Sequence, residues 1–214
     1  MGRLILAILL TAALAACQTA SHAVFTATPT PSPSPTPHVT STAAILQPSE
    51  APADLNVCLG SGPIDVYLTS LTQADAAVGA RASNQWRQLQ GQGARSGAIS
   101  LFAANASACT AELGATSTIK AVVSFVARFD DSGQAHRAWE TGVFGFAPPP
   151  PGQIAAGVTR GTATGLGLSS FTYDRPSVRL ASWHRSVFVS LVVVSNLDSN
   201  TFKSAATAID ARLD

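Results

Sequence analysis

Apolar positions in the last third of the chain recur with two different periods. Phe202, Ala206, Ile209 and Leu213 are spaced four, three and four residues apart. That is one stripe of a helix over Ser199 to Leu213, and Asp198, Ser199 and Asn200 are all residue types that cap a helix start. Ahead of it, Val187-Phe-Val-Ser-Leu-Val-Val-Val-Ser195 is a β-branched run of strand length, apolar enough to sit centrally in a sheet. Val178 to Trp183 reads as a second strand, joined to the first by a turn around His184, Arg185 and Ser186. Ser170 to Tyr173 reads as a third, set off by the turn residues Asp174-Arg175-Pro176-Ser177. The pattern predicts an antiparallel meander closed by a helix.

The middle of the chain repeats this logic. Ala121 to Phe129 has strand composition and is broken by Asp130, Asp131, Ser132 and Gly133. A helix is expected from about Gln134, with Ala135, Trp139, Val143 and Phe146 on one face, stopped by the prolines from Pro148 to Pro151. Ser100 to Leu113 is alanine-rich and ends at Gly114, which predicts a helix carrying Cys109. Residues 64 to 90 begin with a short helix, although Ile64 to Leu71 fits a strand equally well. No segment of twenty to fifty residues repeats, which argues against a solenoid. The sum is an α+β fold: a mainly antiparallel sheet with helices packed on a face, and a C-terminal strand meander followed by a terminal helix.

The N-terminus follows different rules. Met-Gly-Arg precedes an uncharged stretch from Leu4 to Ala16 and then Cys17, the layout of a secretory signal peptide. Such a run spans only about 20 Å as a helix, short of the ~30 Å hydrocarbon core of a bilayer. Leu14-Ala15-Ala16-Cys17 resembles the lipobox of bacterial lipoproteins. The resemblance implies cleavage before Cys17 and acyl chains, palmitate among them, on that cysteine, mounting the protein on the cell membrane, or on an outer membrane where there is one. Two or three acyl chains hold a protein stably where one does not. Losing residues 1–16 removes Arg3, so the 13 Lys+Arg become 12 against 12 Asp+Glu, and the net charge falls from +1 to zero. A neutral chain has no electrostatic footprint for nucleic acid or for anionic lipid, so the expected hold on the membrane is the acyl group at Cys17.

Seven of the 13 prolines fall between Pro29 and Pro52. The alternating Thr-Pro and Ser-Pro run from Thr28 to His38 cannot be helical, because proline lacks the amide donor and restrains its predecessor. Residues 17–53 are therefore expected as a lipidated cysteine and a disordered, polyproline-II-like tether reaching up to roughly 100 Å from the lipid. Residues 54–214 are expected as a single globular domain. It resembles, in the order of its elements (a strand ending in Phe129, an alanine-bearing helix, a meander ending in the Val187 strand, a terminal Ala-x-x-Ile helix), the extracellular α+β domains tethered to bacterial envelopes, such as the sensor domains of some mycobacterial serine/threonine kinases. That resemblance implies a binding or sensing role outside the cytoplasmic membrane.

Candidate chemistry is sparse. Cys58 and Cys109 are the pair left once Cys17 is acylated, and in an oxidising compartment they are expected as a disulfide worth ~4 kcal/mol at most in the chain-entropy model. Neither lies in a CxxC or beside a histidine, so a metal or reactive-thiol role is the weaker reading. His136 and His184 read as surface residues, and no HExxH or GxSxG is present. Asp130 and Asp131 suit a turn and a helix start, and Gly161 to Gly167 a crossing loop. Neither a metal nor a cofactor is expected. Trp86 beside Arg87, and Trp183 with Arg185, are the candidate contact residues for a partner. The leading expectation is a non-enzymatic envelope protein that binds a small ligand or another envelope protein. The alternatives are an envelope hydrolase or transferase assembled from dispersed residues such as Asp174, Arg175 and His184, and a structural envelope protein.

Overall fold

A computed structural model describes residues 39–213. The signal-peptide segment 1–16, Cys17 and the tether up to residue 38 lie outside the described residues. In chain order the elements are α1 (Ser41–Ala44), β1 (Asn56–Val57), β2 (Gly62–Pro63), α2 (Ile64–Ala74), α3 (Ala76–Gly91), β3 (Ala94–Ala103) and α4 (Ala106–Cys109). They continue as β4 (Ala121–Phe129), α5 (Ser132–Thr141), β5 (Val158–Arg160), β6 (Ser170–Asp174), β7 (Val178–Arg185), β8 (Phe188–Ser195) and α6 (Ser199–Asp210). Every strand pair is antiparallel, in the order β1-β3-β4-β8-β7-β6-β5, with β2 continuing β1 along the same edge of β3. The chain adopts the α+β class that its pattern predicts.

Strand alternation sorts the core onto two faces. Phe125 pairs with Leu191, and Val126 with Ser190, in the β4–β8 ladder. Ile99, Leu101, Phe125 and Leu191 pack under α2, α3 and α5 through Leu68, Trp86 and Trp139. Phe102, Val126, Trp183 and Val192 pack on the other face against Phe202 and Ile209 of α6. Helices therefore cover both faces, which is why β8 is buried along its whole length. Of the stripe expected over Ser199 to Leu213, α6 buries Phe202, Ala206 and Ile209; the helix ends at Asp210 and Leu213 is buried beyond it, while Asp198 Oδ1 caps the start by accepting from the amides of Asn200 (2.7 Å) and Thr201 (2.9 Å).

Several expectations are corrected by packing. Ser100 to Leu113 is not one helix: β3 runs to Ala103, and within the segment only Ala106–Cys109 is α-helical. Ala98 to Ala103 is buried on both faces, so it shows no period of two, and pairing with β4 along its length overrides its alanine content. Ile64 to Leu71 is helical, with Ile64, Tyr67, Leu68 and Leu71 as the buried stripe of α2. The β7–β8 turn falls at Ser186 and Val187, later than expected, with Ser186 at φ 53°. Val143 and Phe146 lie beyond α5, which ends at Gly142 with φ 109°; a side chain there would also press within 3.1 Å of Ala147.

The boundary at residue 53 also moves. Ala44, Ile45 and Leu46 are buried with the α6 face of the sheet. The Leu46 amide donates to Ser124 Oγ at 2.8 Å, which in turn pairs with Ser100 Oγ at 2.8 Å. Arg212, from the far end of the chain, donates to the carbonyls of Ala44 (3.2 Å) and Ile45 (3.0 Å) and pairs with Glu50 at 2.5 Å. Burial raises the Glu50 carboxyl, but Arg212 and the Gln47 amide outweigh it and hold the group below its usual range. The alanines and serines of this stretch looked like tether because its apolar content is confined to three consecutive residues.

Candidate functional site

The three residues singled out for partner contact do not form an exposed patch. Trp86 is 4% exposed, its ring edge-on to Phe125 at 6.3 Å, and it fills the space left by Gly97, where a Cβ would come within 2.9 Å of the indole. Trp183 is 0% exposed, on the opposite face of the sheet. Arg185 donates from Nε to Asp210 Oδ1 at 3.0 Å and from its terminal nitrogen to Oδ2 at 2.5 Å, clamping β7 to the end of α6. Polar flanks misled the reading because residues adjacent in a helix or strand point in different directions.

Cys58 and Cys109 form a disulfide with Cα atoms 5.5 Å apart, tying the chain after β1 to α4. Asp131 caps α5 through the Gln134 amide at 2.8 Å, the helix-start role expected of it, whereas Asp130 pairs with Arg95 at 2.5 Å across to β3. Asp174, Arg175 and His184 are not brought together. Asp174 pairs across the hairpin with Arg179, five residues along β7 from His184, or roughly 17 Å of strand.

The two histidines do meet. Their ring centroids are 5.4 Å apart, and His136 stacks on Trp139 at 5.9 Å. His184 Nε2 lies 2.8 Å from the Ser186 carbonyl and 3.3 Å from Ser132 Oγ. A carbonyl only accepts, so Nε2 carries the proton and is not the base that would take one from Ser132. Burial first, and then the neighbouring His136, lower the His184 pKa, with the Ser186 carbonyl opposing them. His136 bonds through Nδ1 to Ser169 Oγ at 3.3 Å and faces Glu140 at 3.4 Å. Among the described residues no three His, Cys, Asp or Glu side chains converge as a metal site would require. The pair fastens α5 to the β6–β7 hairpin.

The feature best suited to a ligand is an apolar cleft of about 340 Å³ at the far end of the sheet. Its floor is Phe171 and Tyr173 of β6 with Val178 and Leu180 of β7; its wall is Phe146, Ala147 and Pro149. The geometry follows from the sequence after α5. Gly142 ends the helix, the Phe146 amide donates to the Val143 carbonyl at 2.9 Å and the Val143 amide to the Phe146 carbonyl at 3.1 Å, and Pro148 to Pro151 supply no amides with which to join a sheet. The helices of this face stop over β3, β4, β8 and part of β7, and the proline segment stands off from β5 and β6. Phe146 and Tyr173 are each 37% exposed at the opening.

Two guanidinium groups border the cleft. Arg160 is cross-strand from Phe171, lies over the Trp139 ring at 5.8 Å and donates to the Pro149 carbonyl. Arg175 lies over the Tyr173 ring at 5.6 Å and donates to the Ala156 carbonyl at 3.0 Å. A second cleft, about 360 Å³, adjoins the disulfide between Val57, Leu59, Ala74 and Ala106. Its lining is more polar than that of the cleft at the end of the sheet.

Sequence reasoning missed the cleft. Its signal was present in the even spacing of Phe171 and Tyr173, and of Val178 and Leu180, on strands followed or preceded by no helix-forming segment but by four prolines. Compared with protein-family models, curated proteins and solved structures, the chain gives no match. Among the described residues the chain presents an antiparallel α+β domain with a nearly wholly apolar cleft.

Proposed function

We propose that this chain is an exported, lipid-anchored envelope protein whose domain is a non-enzymatic binding module for a small apolar ligand. The observation that carries the proposal is the cleft between Phe146–Pro149 and strands β5 to β7, with its 340 Å³ of almost purely apolar lining. That volume lies at the small end of the ~300–1,000 Å³ usual for ligand sites. At about 30 Å³ for a water-sized group it holds roughly eleven such groups. Burying eight methylenes contributes ~6 kcal/mol at ~0.8 kcal/mol each, and the cost of immobilising the ligand reduces this, so micromolar to millimolar affinity is expected. The lipobox resemblance at Leu14 to Cys17 supports export and anchoring, and the Cys58–Cys109 disulfide fits an oxidising compartment.

Mass spectrometry of the mature chain tests the anchor: a diacylglycerol mass on Cys17 is expected, and a free thiol would refute it. Titration with an apolar fluorescent probe tests the module. Val178→Trp adds a large ring on a half-buried position of the cleft floor. It should abolish probe binding and leave the unfolding curve in place; unchanged binding would remove the cleft from the proposal.

A further inference from the structure

We infer that the ligand is an anionic amphiphile, its apolar body in the cleft and its single carboxylate or phosphate head on Arg160. The inference rests on the cleft being the binding site and adds the chemistry of what it takes. The register places Arg160 on the cleft face of the sheet, because it pairs with Phe171, whose side chain forms the cleft floor. Val158, two residues earlier on the same face, lines the cleft itself. Arg160 is half-buried, and Trp139 beneath it is almost fully buried.

The guanidinium is already oriented. One terminal nitrogen donates to the Pro149 carbonyl, and Cζ lies over the indole ring, which leaves further N–H groups for an oxyanion with little further loss of freedom. Among the described residues neither Arg160 nor Arg175 has a carboxylate partner, whereas Asp174 is already paired with Arg179 at 2.8 Å. The charge beside the apolar lining is thus positive and uncompensated, which favours an anionic head over a neutral or cationic one. Arg175 borders the other end of the cleft beyond Tyr173 but is exposed, so water screens it and it serves as the comparison.

Four probes of equal chain length separate the terms: decanoate, decyl phosphate, decanol and decyltrimethylammonium, each below its micelle-forming concentration. The protein is the mature chain carrying Cys17→Ser, purified without detergent so that no other acyl group competes, and heat of binding is measured. The two anions should bind roughly tenfold or more tighter than decanol, and the ammonium more weakly than decanol. Arg160→Gln should bring the anions to the level of decanol and leave decanol unchanged, while Arg175→Gln should change the anions by less than about threefold. Equal affinity for anions and decanol, or a dominant effect of Arg175→Gln, would overturn the assignment of the head to Arg160 while leaving an apolar site standing. Failure of all four probes to bind would remove the site itself.

Discussion

The domain extends upstream of residue 54, and the cost of removing that extension follows from what it buries. A chain beginning at Leu55 lacks Ile45 and Leu46, which are 5% and 2% exposed. Burying such side chains stabilises by ~1.5–3 kcal/mol each. Their loss also leaves Ser124 Oγ without the Leu46 amide and Arg212 without two carbonyls and Glu50. The expected loss is about 5 kcal/mol, comparable with the ~5–15 kcal/mol net stability of an ordinary domain. Urea unfolding followed by tryptophan fluorescence should show the chain from Leu55 unfolding at least ~2 M earlier than the chain from Val39, or failing to fold. Leu46→Ala in the longer chain keeps the test readable, with a loss of ~2–5 kcal/mol. Coincident midpoints for the two lengths would show that the segment only rests on the sheet and contributes no stability.

Gly97→Ala places a methyl 2.9 Å from the Trp86 ring and should cost ~1–3 kcal/mol, whereas Gly91→Ala, with nothing within 4 Å, should be neutral or stabilising; thermal melts compare them. Burial raises the Tyr67 phenol to about 12, against the opposing Leu113 amide, from its ordinary 10.0. The shift contributes stability that is whole below pH 10.0 and is lost as pH rises towards about 12, because the unfolded phenol ionises first. Tyr67→Phe should remove that alkaline loss from the pH–stability curve; an identical curve would place the loss elsewhere. Reducing the Cys58–Cys109 bond should lower stability by ~2–4 kcal/mol, measured by denaturation with and without reductant.

The elements legible in the sequence were those whose burial is one-sided or flanked by clear stops. α6 showed its stripe and its Asp198 cap, and β4 ended at two aspartates that the structure uses for a cap and an ion pair. β3 was unreadable because both its faces are buried, which erases the period that distinguishes strand from helix. The tryptophans were misjudged for a related reason. Arg87 and His184 beside them announced a surface, yet neighbours along a helix or strand leave its axis in different directions, and both indoles are core. The cleft depends on where a proline segment lies relative to strands about twenty-five residues further on, a tertiary relation that local pattern does not encode. The meeting of His136 and His184 is of the same kind.

Locating the bound ligand on the molecule tests the binding proposal most directly. Amide and methyl NMR spectra of the Cys17→Ser chain, titrated with decanol, should shift at Val158, Phe171, Tyr173, Val178 and Leu180 and along the Phe146–Pro149 wall. Val57, Ala74 and Ala106, beside the disulfide, should stay in place. Shifts confined to the disulfide cleft, or spread evenly over the surface, would contradict the assignment of the binding site to the end of the sheet.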